Sequence, residues 1–484
     1  MTVIRPNSIS GVSSITGSGG DISIFRADGT AADVTVNNIT SGIITATHYG
    51  SGANLTSLPA GQLTGTVADA RLSTVSSSKL SGALPALDGS ALTGVGIGTD
   101  GSVNTSGIIT ATTLNYTGNQ NLSHRNIFIN GDMTVAQRAY GNSGTTTNGY
   151  GSVDRFYVGY NAVQEAPTQA QADISAGTTP YTLGFRKSLK ITNGNQTSGA
   201  GAGEYIFINM AQEAQNLATS GWNYKSSSSF ITLSFWIKSS VAQNFFFQFD
   251  VRDGTRQNYV METGSLTADT WTKITKVIPG NSNLTIDNDN GVGAYITFGV
   301  FWGTNYTASI SLETWGVASD SAKTPDNPTN WYNTNDATLE FTGIQLEVGP
   351  VATPFEHLPY AENFRRCARY CYQWIDDQML GFGQVYSGSG YVKIFPPVPV
   401  NMRAKPSVTK NAPTGYWFVS YHGNSGYAGD RLVTVEGNGG DNSLQSSNTF
   451  RLFVNGGSNQ GNAVTVWCLI HDTTGAYLRL EAEL

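Results

Sequence analysis

The sequence predicts an all-β protein: an elongated rod carrying β-sandwich material in its later part. Three observations carry this expectation. Charged residues are only 13 %, and Gly, Ser, Thr and Asn stand in their place. Those residues form helices poorly and turns well. An eight-residue segment recurs unchanged in the first quarter of the chain. Beyond residue 126, aromatic-rich runs alternate with period two.

Composition also excludes functions. The net charge is -7 and no Lys/Arg run occurs, so the basic patch that phosphate recognition needs is missing and no nucleic-acid partner is expected. No apolar run reaches the 18 residues of a membrane span. The start, Met1-Thr-Val-Ile-Arg-Pro-Asn7, lacks the basic and apolar regions of a signal peptide, so export by that route is not expected. Three cysteines (Cys367, Cys371 and Cys468) are too few for a disulfide scaffold, and they read as buried thiols.

Residues 1–125 contain no Trp and only Phe25, Tyr49 and Tyr116 from the other aromatics. Thr40-Ser-Gly-Ile-Ile-Thr-Ala-Thr47 returns as Thr105-Ser-Gly-Ile-Ile-Thr-Ala-Thr112. Leu63-Thr-Gly65, Leu80-Ser-Gly82 and Leu92-Thr-Gly94 lie between them. Such units read as short strands joined by Gly turns. One chain of them cannot cover its own Leu and Ile side chains, so neighbouring units or neighbouring chains must cover them, and several chains wound about one axis is the economical solution. Residues 39–125 are therefore expected to form a repetitive β shaft, preceded by a segment 1–38.

From 126 to 360 the pattern is that of two packed antiparallel sheets. Ile231, Leu233, Phe235 and Ile237 alternate with Thr232, Ser234, Trp236 and Lys238. Phe245, Phe247, Phe249 and Val251 do the same, and Ala294–Trp302 and Leu339–Val348 add further strands. Residues 361–374 read as a short helix, with Phe364, Cys367, Ala368, Cys371 and Tyr372 on one stripe suited to a central bundle of three copies. Residues 375–484 return to strands and form a small C-terminal β domain.

The stretch Gly343-Ile-Gln-Leu-Glu-Val-Gly-Pro-Val-Ala-Thr-Pro-Phe-Glu-His357, followed by Cys367-Ala-Arg-Tyr370, resembles a signature of bacteriophage tail-fibre domains. Asn126–Arg138 and Phe235-Trp-Ile-Lys-Ser239 are similar to the entry and first long strand of the same domain, and the 40–47 repeat is similar to tail-fibre shafts of phages of marine cyanobacteria. The ending Leu480-Glu-Ala-Glu-Leu484 also looks like a tail-fibre terminus. The resemblance implies a carbohydrate-binding jelly roll at 126–360 and adsorption to a host surface. The implied assembly is a homotrimeric fibre of the virion. Its residues 1–38 would dock on the tail or baseplate, and its tip at 375–484 would meet host polysaccharide or lipopolysaccharide.

Sugar recognition needs flat aromatic faces beside oriented polar groups. Trp302, Tyr306, Trp315, Trp331 and Tyr332 lie among Asn305, Asp320, Asp326 and Asn330; core or interface packing is their competing explanation. A second candidate is an outward sheet face with Trp236, Gln248, Asp250 and Arg252. A third is the tip, with Tyr416, Trp417, Tyr421, His422 and Tyr427. Asp287-Asn-Asp-Asn-Gly291 resembles part of a calcium loop but lacks its later Glu, and is taken as a polar turn. No catalytic residue, cofactor or metal is expected. The five histidines show no metal spacing, and His357 reads as a structural hydrogen-bonding residue. Asp376, Asp377, Glu481 and Glu483 leave open a depolymerase, which would need two carboxylates about 5–10 Å apart around a sugar. A purely structural tail component is the third possibility.

Overall fold

The computed structural model describes residues 26, 28–30, 124–139, 144–375, 378–386, 391–394, 397–410, 417–421, 433–435, 452–455, 466–470 and 477–484. The chain divides into two units, Met1–Ile109 and Thr110–Leu484. In the first unit a turn is described, in which the Thr30 amide and hydroxyl donate to the Asp28 carboxylate at 2.9 and 2.6 Å. The rest of the expected attachment segment, and the expected shaft up to Ser123, lie outside the described residues.

In the second unit, eleven strands build an antiparallel β-sandwich. They are β1 (Tyr157–Asn161), β2 (Thr168–Asp173), β3 (Lys187–Thr192), β4 (Tyr205–Glu213), β5 (Phe230–Ser239), β6 (Phe246–Val251), β7 (Gln257–Glu262), β8 (Thr272–Pro279), β9 (Val292–Trp302), β10 (Trp315–Val317) and β11 (Thr338–Val348). One sheet has the order β1-β4-β9-β6-β7-β10, the other β2-β3-β11-β5-β8. The chain passes repeatedly between the sheets, as jelly-roll strands do. Two one-turn helices, α1 (Thr179–Thr182) and α2 (Ala214–Ala218), sit in the connections.

The expected alternation builds the core. Ile231, Leu233, Phe235 and Ile237 of β5 meet Phe247, Phe249 and Val251 of β6 between the sheets. Phe247 stacks on Phe298 at 5.3 Å, and Phe235 stands edge-on to both at 5.3 and 4.8 Å. Burying each such ring contributes about 1.5–3 kcal/mol.

The segment that resembles a tail-fibre signature works as a clasp. The ladder between β11 and β5 shifts register between Thr342 and Gln345. Gly343 takes a positive φ of 63°, and a Cβ there would lie 2.6 Å from the Phe185 ring. Beyond this bulge, Gln345 Oε1 accepts the Glu356 amide, and the Glu347 carboxylate accepts the amide and hydroxyl of Thr353. Glu356 in turn accepts the amides of His124 and Asn126. His357 Nε2 pairs with the Leu183 carbonyl at 2.9 Å, as its structural reading requires. Entry and exit of the sandwich are thereby tied together.

The helix differs from expectation. It spans Tyr360–Ala368 (α3), and the chain becomes a strand, β12, at Cys371–Ile375. Residues 371–374 also fit period two, and their aromatics favour a pleated surface. Backbone bonds decide the matter: Ala482 donates to the Tyr370 carbonyl and Arg403 to that of Arg369. Cys367 and Cys371 therefore do not share a helix face. Cys367, Ala368 and Asn363 are buried in their own chain, with Asn363 bonded to Asn130, Asp132 and Thr134. The stripe expected to form a three-copy bundle is largely occupied within the chain, leaving Phe364 and Tyr372 only partly covered.

β12 joins β15 (Ser407–Lys410) and β20 (Tyr477–Glu481) in the order β12-β20-β15. A further six-stranded sheet runs β16-β19-β13-β14-β18-β17, from β13 (Met379–Tyr386), β14 (Tyr391–Ile394), β16 (Trp417–Tyr421), β17 (Val433–Val435), β18 (Leu452–Asn455) and β19 (Val466–Ile470). Of these, β14, β16, β18 and β19 fall on the runs 391–395, 416–421, 450–454 and 463–470 that read as strands in the sequence, while β13 and β17 are not expected from it.

The C-terminus closes onto the sandwich through buried charge. Arg138 contacts Glu481 at 3.0 Å and Glu483 at 3.1 Å, and Arg155 pairs with Glu483. The Arg155 guanidinium lies 3.4 Å from the centre of the Tyr370 ring. Arg369 grips Glu213 with two bonds at 2.7 and 2.8 Å. Removing one partner of a buried pair leaves an uncompensated charge and costs about 3–5 kcal/mol. Glu483→Gln should lower unfolding stability by about that amount in denaturant titrations.

Burial alone would raise the carboxyls of Glu213 and Glu481. Hydrogen bonds from Arg369 and Tyr370 to the first, and the charge and bonds of Arg138 on the second, outweigh it and hold both below their ordinary 4.5. Their contribution should be complete above about pH 4.5 and fade as pH falls through the lower folded-state values. A pH series of thermal melts checks this; stability that is flat or rises below pH 4 would contradict it.

Candidate functional site

Period two would point Trp302 into the core, with Ile296, Phe298 and Val300. The ladder between β4 and β9 prevents this. Ile206 pairs with Phe301 and Phe207 with Gly299, so Val300 is skipped. The bulge lets both Val300 and Phe301 face the core and turns Trp302 to the outer face of the six-stranded sheet containing β4 and β9. Bulges re-aim side chains in this way beside functional sites.

On that face Trp302 lies parallel to Phe207 (5.3 Å, 11°), and Phe207 lies nearly parallel to Tyr157 (6.0 Å, 18°). Tyr205 and Tyr306 close on Trp302 at 5.1 and 5.7 Å. Two glycines make the stack possible. A Cβ on Gly299 would lie 2.4 Å from the indole nitrogen, and one on Gly159 would lie 2.3 Å from the Phe207 ring. Trp302 is only 5 % exposed, so Tyr205, Phe207 and Tyr306 present the aromatic surface. Burial pushes the Tyr205 hydroxyl up from its ordinary pKa.

The aromatic group forms one side of a groove of about 340 Å³. The other side is polar. Asp250 Oδ2 accepts from Arg252 at 3.0 Å and from Arg256 at 2.7 Å, while its buried Oδ1 has no partner among the described residues. Arg256 also reaches Asp320 at 3.2 Å, and Lys323 reaches Asp320 at 2.8 Å. The Lys323 bond and charge, with Arg256 behind them, hold Asp320 down at about 2. Gln248, Asn209 and Thr297 line the sheet between the two sides. The arrangement suits a ligand with one flat apolar face and hydrogen-bonding edges.

Of the first predicted cluster, the groove takes Trp302, Tyr306 and Asp320. Trp315 packs instead on Phe249 and Tyr259 and donates to the Pro279 carbonyl. Trp331 and Tyr332, 0 % and 1 % exposed, belong to the core: Tyr332 stacks on Phe301 at 4.1 Å and has no surface to offer a ligand. Of the second cluster, Gln248, Asp250 and Arg252 line the groove, but Trp236 is on β5 in the other sheet. At the tip, Tyr416, His422 and Tyr427 lie outside the described residues, and Trp417 and Tyr421 are described as the ends of β16 only. Asp287–Gly291 is a turn holding α2, with Ala214 and Gln215 donating to the carbonyls of Gly291 and Asp289. Glu481 and Glu483 serve the arginine cluster, and Asp376 and Asp377 lie outside the described residues. Sequence reasoning missed Tyr205, Phe207 and Arg256.

No family model and no curated protein matches the chain. Among solved structures, it is similar to the enzymatically active domain of tailspike protein 4 of bacteriophage CBA120 (10 % identity, TM-score 0.26), over 46 % of this chain and 21 % of that one. A family 11 carbohydrate-binding module from Clostridium thermocellum, in complex with a mixed-linked tetrasaccharide, gives 12 % identity and TM-score 0.21 over 41 % and 91 %. A family 30 carbohydrate-binding module gives 10 % and 0.20 over 42 % and 82 %. The chain thus spans about a fifth of the tailspike domain. Likenesses at these TM-scores carry no argument about function.

Gly299→Ala should displace the Trp302 indole and cost about 1–3 kcal/mol by overpacking. Near-ultraviolet circular dichroism should change while the far-ultraviolet spectrum holds; an unchanged near-ultraviolet spectrum would show that the indole does not rest on Gly299.

Proposed function

We propose that this chain is a subunit of a bacteriophage tail fibre that attaches the particle to its host by binding surface glycan, with lipopolysaccharide the favoured receptor. The observation that carries the reading is the groove: stacked aromatics along one side, a paired Asp–Arg wall along the other. A pyranose ring has an apolar face for the first and hydroxyls for the second. The resemblance of residues 126–138, 235–239 and 343–357 to tail-fibre domains supports the virion setting. The repeats of 39–125 support a homotrimer whose chains shield one another's Leu and Ile, with residues 1–38 docked on the tail. Several weak sites per particle then give firm attachment through avidity.

The reading is adhesion without cleavage. Glycoside hydrolysis draws a proton from a carboxylic acid. Lys323 and Arg256 hold the Asp320 carboxyl down at about 2, so it is not suited to donate that proton.

The test uses purified full chain. Its solution mass should be three times the 51.5 kDa of one chain. It should bind host cells, and Tyr306→Ala with Arg252→Ala should weaken binding about tenfold without changing the mass. Undiminished binding by that variant would remove the groove from the reading. Reducing ends released from host polysaccharide would replace adhesion with depolymerisation.

A further inference from the structure

A second groove, of about 430 Å³, lies where α3 and β12 meet the β2 edge of the other sheet. We infer that it is a separate binding site for a neutral oligosaccharide.

Among the described residues its lining carries no charged side chain; Asp376 and Asp377, between Ile375 and Gln378, lie outside them. Tyr360, 61 % exposed, and Phe364 stack one helical turn apart at 6.1 Å and 26°. Aromatic surface is thus presented to solvent, on a helix whose inner face is already packed. Carboxamides converge on it from different elements: Gln171 from β2, Gln373 from β12 and Gln378 just beyond.

The amides are held with one end spent and the other end open. Gln171 Nε2 donates to the carbonyls of Met133 and Thr134, leaving Oε1 without a partner among the described residues. Gln373, 7 % exposed, accepts from Arg479 at 2.7 Å through Oε1, leaving Nε2 without one. Gln378 Oε1 accepts the Ile375 amide, leaving its Nε2 likewise. One fixed acceptor and two fixed donors thus border an aromatic face. Sugar hydroxyls both donate and accept, and a neutral ring brings no charge that the described lining would have to compensate. The volume falls in the roughly 300–1,000 Å³ range of small-ligand clefts.

This site does not depend on the groove between Trp302 and Asp250, though it takes the same class of ligand. The experiment separates them. Full-length wild type, Tyr360→Ala, Gln378→Ala and Tyr306→Ala are applied to an array of neutral and acidic bacterial surface oligosaccharides, with solution mass measured in parallel. Both junction substitutions replace exposed side chains, so folding should be retained. At least one neutral glycan should be bound by wild type and by Tyr306→Ala, and lose tenfold or more in Tyr360→Ala and Gln378→Ala. The inference falls if no neutral glycan binds. It falls equally if the junction variants bind as wild type does, or if Tyr360→Ala changes only the mass, which would make this face a contact between copies. Loss of other glycans by Tyr306→Ala alone bears on the sheet-face groove and not on this site.

Discussion

The site on the sheet face depends on one departure from period two. A strand in a sandwich sends alternate residues to core and surface, and that rule holds along β9 from Ala294 to Val300. Had it held for two residues more, Trp302 would have entered the core and Phe301 would have faced outward. The skipped residue at Val300 reverses both. Phe301 then completes the core against Tyr332, and Trp302 completes the aromatic stack beside Phe207 and Tyr205. The same register shift serves packing and surface chemistry, so neither can be altered alone.

That dependence explains what could be read in the sequence. The strands β5, β6, β9 and β11 were legible, because a half-buried strand writes its alternation directly. The face of Trp302 was not, because a bulge is a property of a pair of strands, set by how β4 aligns on β9. Trp331 and Tyr332 misled for a related reason: an aromatic next to Asn and Pro looks like a surface loop until its neighbours are known. Tyr205 and Phe207 could have been found. The run Tyr205-Ile-Phe-Ile-Asn-Met210 alternates cleanly and puts two aromatics opposite three aliphatic side chains. Arg256 lies beyond the turn after β6, and only the β6–β7 pairing returns it to Asp250. The end of α3 could not be read, because helix and strand patterns overlap at Cys371–Trp374 and the choice is made by β20, more than a hundred residues away.

The charged cluster beneath this assembly has a different logic. Buried ion pairs add little net stability over a well-packed apolar core, since desolvation offsets most of the attraction. They do penalise misassembly. Arg138 and Arg155 lie in the entry segment, Glu213 at the end of β4, Arg369 after α3 and Glu483 near the terminus. Arg138 and Arg155 are satisfied only when the entry segment meets Glu483, and Arg369 only when it meets Glu213. Arg138 and Arg155 are thus held against Glu481 and Glu483 by charge, as residues 343–357 are held by hydrogen bonds to the backbone.

Rigidity of this kind bears on binding. A ligand pays in lost freedom for every side chain it must immobilise. Trp302 and Phe207 already pack together, each against a glycine whose missing Cβ leaves room for the ring, and Asp250 is already held by two arginines. The groove therefore presents its aromatic side and its polar side in place before any ligand arrives. Weak individual contacts can then be used almost in full. In the proposed fibre, a modest affinity per site that loses little to reorganisation is what multivalent attachment would multiply.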